Sequence, residues 1–202
     1  MSALAQSGIV DTNTTWSGEI LLIGSIKVTN GATLTIAPGT KIIVESSGND
    51  KKRILVDSES FLVASSEGDR IIFSSDNGSP GSWAGIEFSG NTNSNSSSGS
   101  VLKGVNVKDS ENAVTVNGQG ILIQDCTFEG NEKSIYLKNT NDVKITNSLF
   151  RDHGGGIDTP YETEGYGPHL NTTVTHNTFQ GRGTAIAVWP NQRNIDNLAI
   201  NN

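Results

Sequence analysis

Apolar residues recur along this chain in short strand-like runs, as pairs two positions apart, and the runs themselves repeat. Phe128, Phe150 and Phe179 each lie five residues after an aliphatic residue (Ile123, Ile145, Val174) and seven before another (Ile135, Ile157, Ile186). Val107 fits the same grid, with Leu102 before it and Val114 after it. An i, i+2 pair puts two side chains on one face of a strand. A self-similar period of about one supersecondary unit predicts coils stacked on one another in place of a layered core.

Three strand columns follow from that grid. The first runs Ile26, Ile54, Ile86, Val114, Ile135, Ile157, Ile186, with Val28, Val56, Phe88, Val116, Leu137 and Val188 two positions on. The second runs Leu34, Leu62, Leu102, Ile123, Ile145, Val174, Ile200, and the third Val44, Phe73, Val107, Phe128, Phe150, Phe179. The pattern predicts an all-β parallel β-helix of about seven coils, three strands per coil, with loop insertions. At a strand spacing of ~4.8 Å such a rod is roughly 30–35 Å long. Asp125, Asn147, His176 and Asn202 recur at one corner as a polar ladder whose amides serve the corner backbone.

Composition agrees with a thin cylinder. The hydrophobic fraction is 34% of 202 residues, with 23 Gly, too little for a thick core but enough for one inward row per strand. Net charge is −7 with no basic stripe, which excludes nucleic acid as an expected partner. One Cys excludes an intramolecular disulfide. No apolar run has the length of a membrane span. Ala3-Leu4-Ala5-Gln6 has the character of a cleaved export signal's end, so the expected location is extracellular or the cell envelope.

The block Gly31-Ala32-Thr33-Leu34-Thr35-Ile36-Ala37-Pro38-Gly39-Thr40, the block Trp83-Ala84-Gly85-Ile86-Glu87-Phe88, and the later Val-x-Ile-x-Asn-x-x-Phe repeats resemble the pectin-lyase-like superfamily. That resemblance implies a right-handed parallel β-helix from about Thr14 to Asn202. It is generic for activity, because the same repeat serves lyases, hydrolases, epimerases, adhesins and phage tail proteins. The superfamily's catalytic motifs are missing. Asp152-His153 falls in a corner after Phe150, there is no Arg-x-Pro-x-x-Arg, and no Asn-Thr-Asp, Asp-Asp or Gly-His-Gly block occurs.

In a repetitive rod, function sits on inserted corners. After the first column the corners are short at Asn117–Gly120 and Lys138–Asp142. They are long at Ser89–Ser100, Pro160–Asn171 and Pro190–Asn197. The long corners predict a notch about two coils wide, ~10 Å, able to take a sugar chain. Tyr161, Tyr166, His169, Trp189 and Arg193 are the carbohydrate-binding candidates, rings for sugar faces and charges for hydroxyls or uronates.

A second cluster, Asp152, His153 and Asp158 around the Gly154–Gly156 run, supplies the catalytic candidates for a polysaccharide lyase or glycoside hydrolase. Asp158, Glu162 and Glu164 are the candidate ligands of a Ca2+ cofactor. The leading expectation is a polysaccharide- or glycan-binding protein. The alternatives are a lyase or hydrolase, or a non-catalytic structural or adhesin rod. Residues 1–202 are expected to form one β-helix domain. Leu198–Asn202 begin a further coil, which predicts a domain incomplete at its C-terminal end, or one open to end-to-end or homo-oligomeric association.

Overall fold

A computed structural model of the chain describes residues 3–47, 50–90, 99–159, 169–181, 183–187, 195–196 and 199–201. Side-chain alternation accounts for the strands. Lys41–Val44, Arg53–Val56 and Thr33–Ile36 each bury every second residue, so one face is apolar and the other meets solvent. Strands pair with their equivalents about one coil away, in parallel, and no helix occurs among the described residues.

The second column is an eight-stranded sheet from Thr14–Trp16 to Ala199–Asn201. The first and third columns join in one larger sheet through the ten-residue strand Glu19–Val28. Its first half pairs with Lys41–Val44 of the third column and its second half with Arg53–Val56 of the first. Leu4–Val10 adds a further parallel strand against it. The architecture is the parallel β-helix that the repeat predicts.

The first column has the predicted register throughout, from Ile26↔Ile54 to Ile157↔Ile186. The other two columns differ by two residues near their N-terminal ends. Phe73 stands opposite Ile42, while Val44 meets Ser75. Leu102 stands opposite Ala64, and Leu62 donates its N–H to Ser100 Oγ at 3.2 Å. A slip of two leaves the same residues facing inward, so burial alone cannot reveal it.

The interior is filled by like residues stacked between coils. Phe128 and Phe150 lie 5.0 Å apart between ring centroids and 14° from parallel; Phe150 and Phe179 lie 4.7 Å apart at 12°. Fully burying each such side chain contributes roughly 1.5–3 kcal/mol. Polar residues line the inner sides of the corners and satisfy backbone groups there. Cys126 N–H donates to Ser148 Oγ, Ser148 N–H donates to Asn177 Oδ1, and Asn177 Nδ2 donates to the Ile145 carbonyl. At the third-to-first corner, Ser110 N–H and Oγ–H donate to Asn131 Oδ1, and Asn131 Nδ2 donates to the Val107 carbonyl.

The outer residue of the second-to-third corner is left-handed in successive coils, with φ of +65° at Gly104, +55° at Asp125, +49° at Asn147 and +57° at His176. Asn147 Nδ2 donates to Asp125 Oδ1, so part of the expected polar ladder forms, while Asn202 lies outside the described residues. The first-to-second corner differs from expectation at Lys138–Asp142. Residues there continue the strand Lys133–Asn141, whose end pairs Thr140 with His169 and Asn141 with Leu170. His169–Leu170 pairs in turn with Ile195–Asp196. A short extra ladder thus stacks where the long corners return to the rod.

Candidate functional site

Outward positions of the first column form a row that crosses the rod coil by coil. Lys27, Leu55, Glu87, Thr115, Tyr136, Asp158 and Ala187 are in register. They point out because the residues on either side belong to the inward rows, buried from Ile26 and Val28 to Ile157 and Thr159. Tyr136 is the aromatic residue of this row. Lys133 Nζ lies 4.5 Å and Lys138 Nζ 5.6 Å from its ring centroid, within cation–π range.

Tyr136 lines one concavity, and a second lies over the coils that follow. One, of about 190 Å³, is lined by Arg53, Gly85, Glu87, Thr115, Tyr136 and Lys138 among others. Its floor needs glycine at 85: φ is +102°, and a Cβ there would collide with the Asn112 carbonyl oxygen. Arg53 Nη1 meets Glu87 Oε2 at 3.0 Å across it. The other, of about 180 Å³, is lined by Lys133, Gly155, Gly156, Asp158, Thr184 and Ala187 among others. Lys133 lines this second concavity, with its Nζ over the Tyr136 ring and 3.0 Å from Asp158 Oδ2.

Of the catalytic candidates, Asp158 lies on this outer face, half-buried and ion-paired to Lys133. Asp152 is exposed in a left-handed corner with φ of +50°. His153 is turned into the rod, 6% exposed, and neither ring nitrogen has a hydrogen-bond partner. Burial pulls its pKa below the ordinary value, and the nearby Asp152 charge opposes that pull. Asp152 and His153 do not line the concavity that holds Asp158. The adjacent glycines serve coil packing: a Cβ on Gly154 would lie 2.6 Å from the Glu132 carbonyl oxygen, and one on Gly156 would meet Phe179 at 3.0 Å.

Tyr161, Tyr166, Trp189 and Arg193 lie outside the described residues, as do Glu162 and Glu164; His169 is placed through its backbone pairing alone. Of the Ca2+ ligand candidates only Asp158 is described. Among the described residues no group of three or more His, Cys, Asp or Glu is arranged to hold a metal ion. Tyr136, Lys133 and Glu87 were not singled out in the sequence, yet Tyr136 and Glu87 carried a signal, each standing next to inward Ile135 or Ile86. Lys133 carried none, because Ser134 and Ile135 are buried in succession and alternation from Ile135 would turn it inward. The lone Cys126 is structural. Its thiol donates to the Leu102 and Gln124 carbonyls at 3.2 Å, and burial pushes its pKa up to about 11.

The parallel columns define a β-helix solenoid. Residues 8–115, just over half of the chain, match the family model of the pectate-lyase-like β-helix domain, and the protein belongs to that family. No curated protein and no solved structure gives a significant match. No helix among the described residues is long and apolar enough to cross a membrane.

Proposed function

We propose that this is an exported or envelope β-helix protein that binds a polysaccharide along the outer face of its first column. The observation that carries this reading is Tyr136, set in a row of outward residues, flanked by two lysines and lining a concavity, with a second concavity over the next coils lined by Lys133. A sugar presents an apolar ring face and a rim of hydroxyls, and an aromatic ring bordered by charged groups complements both. The long corners 160–168 and 188–194 leave the chain directly after first-column strands, which supports assigning Tyr161, Tyr166, His169, Trp189 and Arg193 to the rim of the same site. Asp158 bridges this binding row to the Ca2+ and hydrolytic readings, and its Lys133 partner favours a binding role over that of a free base.

The test is a glycan-array screen of residues 1–202, with and without Ca2+, followed by titration of any glycan captured. Saturable binding weakened at least tenfold by Tyr136→Ala is the expected result. An array without hits overturns the proposal and leaves the structural rod.

A further inference from the structure

A second groove follows the outside of the second-to-third corner and shares no lining residue with the first-column concavities. It consists of two concavities, of about 360 and 320 Å³, that meet at Arg70 and Asp125. The corner residues Gly104, Asp125, Asn147 and His176 succeed one another along it, one per coil, and so at intervals of ~4.8 Å.

Arg70 stands at the junction and is held still. Its Nε donates to Asn106 Oδ1 at 2.6 Å, and its Nη2 donates to the Asp125 carbonyl at 2.8 Å and to Thr127 Oγ1 at 3.0 Å. All three acceptors are neutral. Arg53 and Arg151 are ion-paired to Glu87 and Glu129, whereas Arg70 has no carboxylate partner among the described residues. The Asp125 side chain is turned to Asn147 instead. Of the five guanidinium N–H groups, the two on Nη1 are left over, in a fixed orientation and with full charge. Both leave one nitrogen and diverge, so they offer a charge-assisted bond to one oxygen of an oxyanion and a second donor to a neighbouring acceptor.

The rest of the lining indicates what carries that oxyanion. Asn147, His176, Thr127 and Thr178 offer donors and acceptors in a line with no Phe, Tyr or Trp among the lining, and in the second concavity Lys103 is paired to Glu67 at 2.7 Å. The Asp125 carboxylate beside Arg70 disfavours a densely charged polyanion. We infer that this groove binds an isolated carboxylate or sulfate ester borne on a hydroxyl-rich chain. Arg70 takes the anion, and Asn147 and His176 take hydroxyls along the rod axis. The site is independent of the first-column reading.

The experiment is an NMR titration of the full chain, following the His176 ring and Arg70 Nε–H resonances. The probes are a glucuronate trisaccharide, a sulfated disaccharide, a neutral trisaccharide and sodium sulfate. At least one anionic sugar is expected to shift both resonances and to bind at least tenfold more tightly than the neutral sugar and sodium sulfate. Whichever anionic sugar does so identifies the source of the oxyanion. Arg70→Ala is expected to weaken that binding at least tenfold, and Arg70→Lys, which keeps the charge but loses the anchored planar donors, to weaken it less. Tyr136→Ala leaves it unchanged. Equal binding of the neutral sugar, equal binding of free sulfate, no binding of either anionic sugar, or affinity indifferent to Arg70→Ala would each overturn the inference. Should Arg70→Ala fail to fold, the wild-type resonances and Arg70→Lys still decide it.

Discussion

The corner between the second and third columns is built alike in successive coils, whereas the corner between the first and second is not. At the former, one residue turns left-handed and an inner polar residue closes the hydrogen bonds, from Asp125–Cys126 through Asn147–Ser148 to His176–Asn177. At the latter, Asn117 is separated from the strand Ile121–Gln124 by three residues, while Asp158 is separated from His169 by ten. The contrast separates two duties. A corner that sets the coil spacing must be short and repeated, because its backbone groups are met by the next coil. A corner that carries side chains to a ligand is free to vary, since its length costs little once the strands on either side are paired.

The largest test of this division strikes the repeated frame itself. Phe150→Ala removes the middle ring of the stack and should cost about 3–5 kcal/mol in chemical denaturation. Gly104→Val should cost about 3 kcal/mol, because φ is +65° and its Cβ would strike the Ser66 carbonyl oxygen. Asn147→Gly at the next-but-one coil should change stability by no more than about 0.5 kcal/mol, since Gly accepts the same φ. A uniform response at both positions would break the claim that corner backbone geometry sets the coil.

Smaller effects distinguish two residues at one place in the third-to-first corner. Asn131 meets its partners with both side-chain polar atoms, whereas His153, one coil on, meets none. Asn131→Ala should lose about 2 kcal/mol by orphaning buried groups, and His153→Leu should be neutral or stabilising. His153 also predicts the smallest effect, a pH dependence. Its folded pKa lies below the ordinary 6.5, so as pH falls the unfolded chain takes up the proton first. Stability should therefore decline as pH drops below about 6.5, with the loss complete beneath the folded pKa. Thermal melts of His153→Leu should lack that component of the slope.

Much of the fold was legible in residue spacing. The seven first-column residues from Ile26 to Ile186 align as the period requires, and the phenylalanine grid becomes a stack of rings. Legibility failed where the period became irregular. Between Val44 and Leu102 the second and third columns shift by two, and an even shift leaves the alternation of buried and exposed residues intact. The site was less legible. Asp152, His153 and Asp158 are close in sequence, yet one is exposed at a corner, one faces inward and one faces the outer row. Arg70 carried no motif at all, because its partners Asn106, Asp125 and Thr127 come from the next two coils.

What the amino-acid order determined by itself was the parallel β-helix: the inward rows, the corners that tolerate left-handed backbone, and membership of a family defined by that repeat. These are local properties, written in alternation and period. What only the tertiary structure decided was which outward residues meet. Tyr136 joins Lys133 and Asp158, Arg70 is immobilised by neutral acceptors, and His153 is turned away from solvent. Neighbours across coils lie some twenty to thirty residues apart in sequence, and stacking sets which of them come within a hydrogen bond of one another.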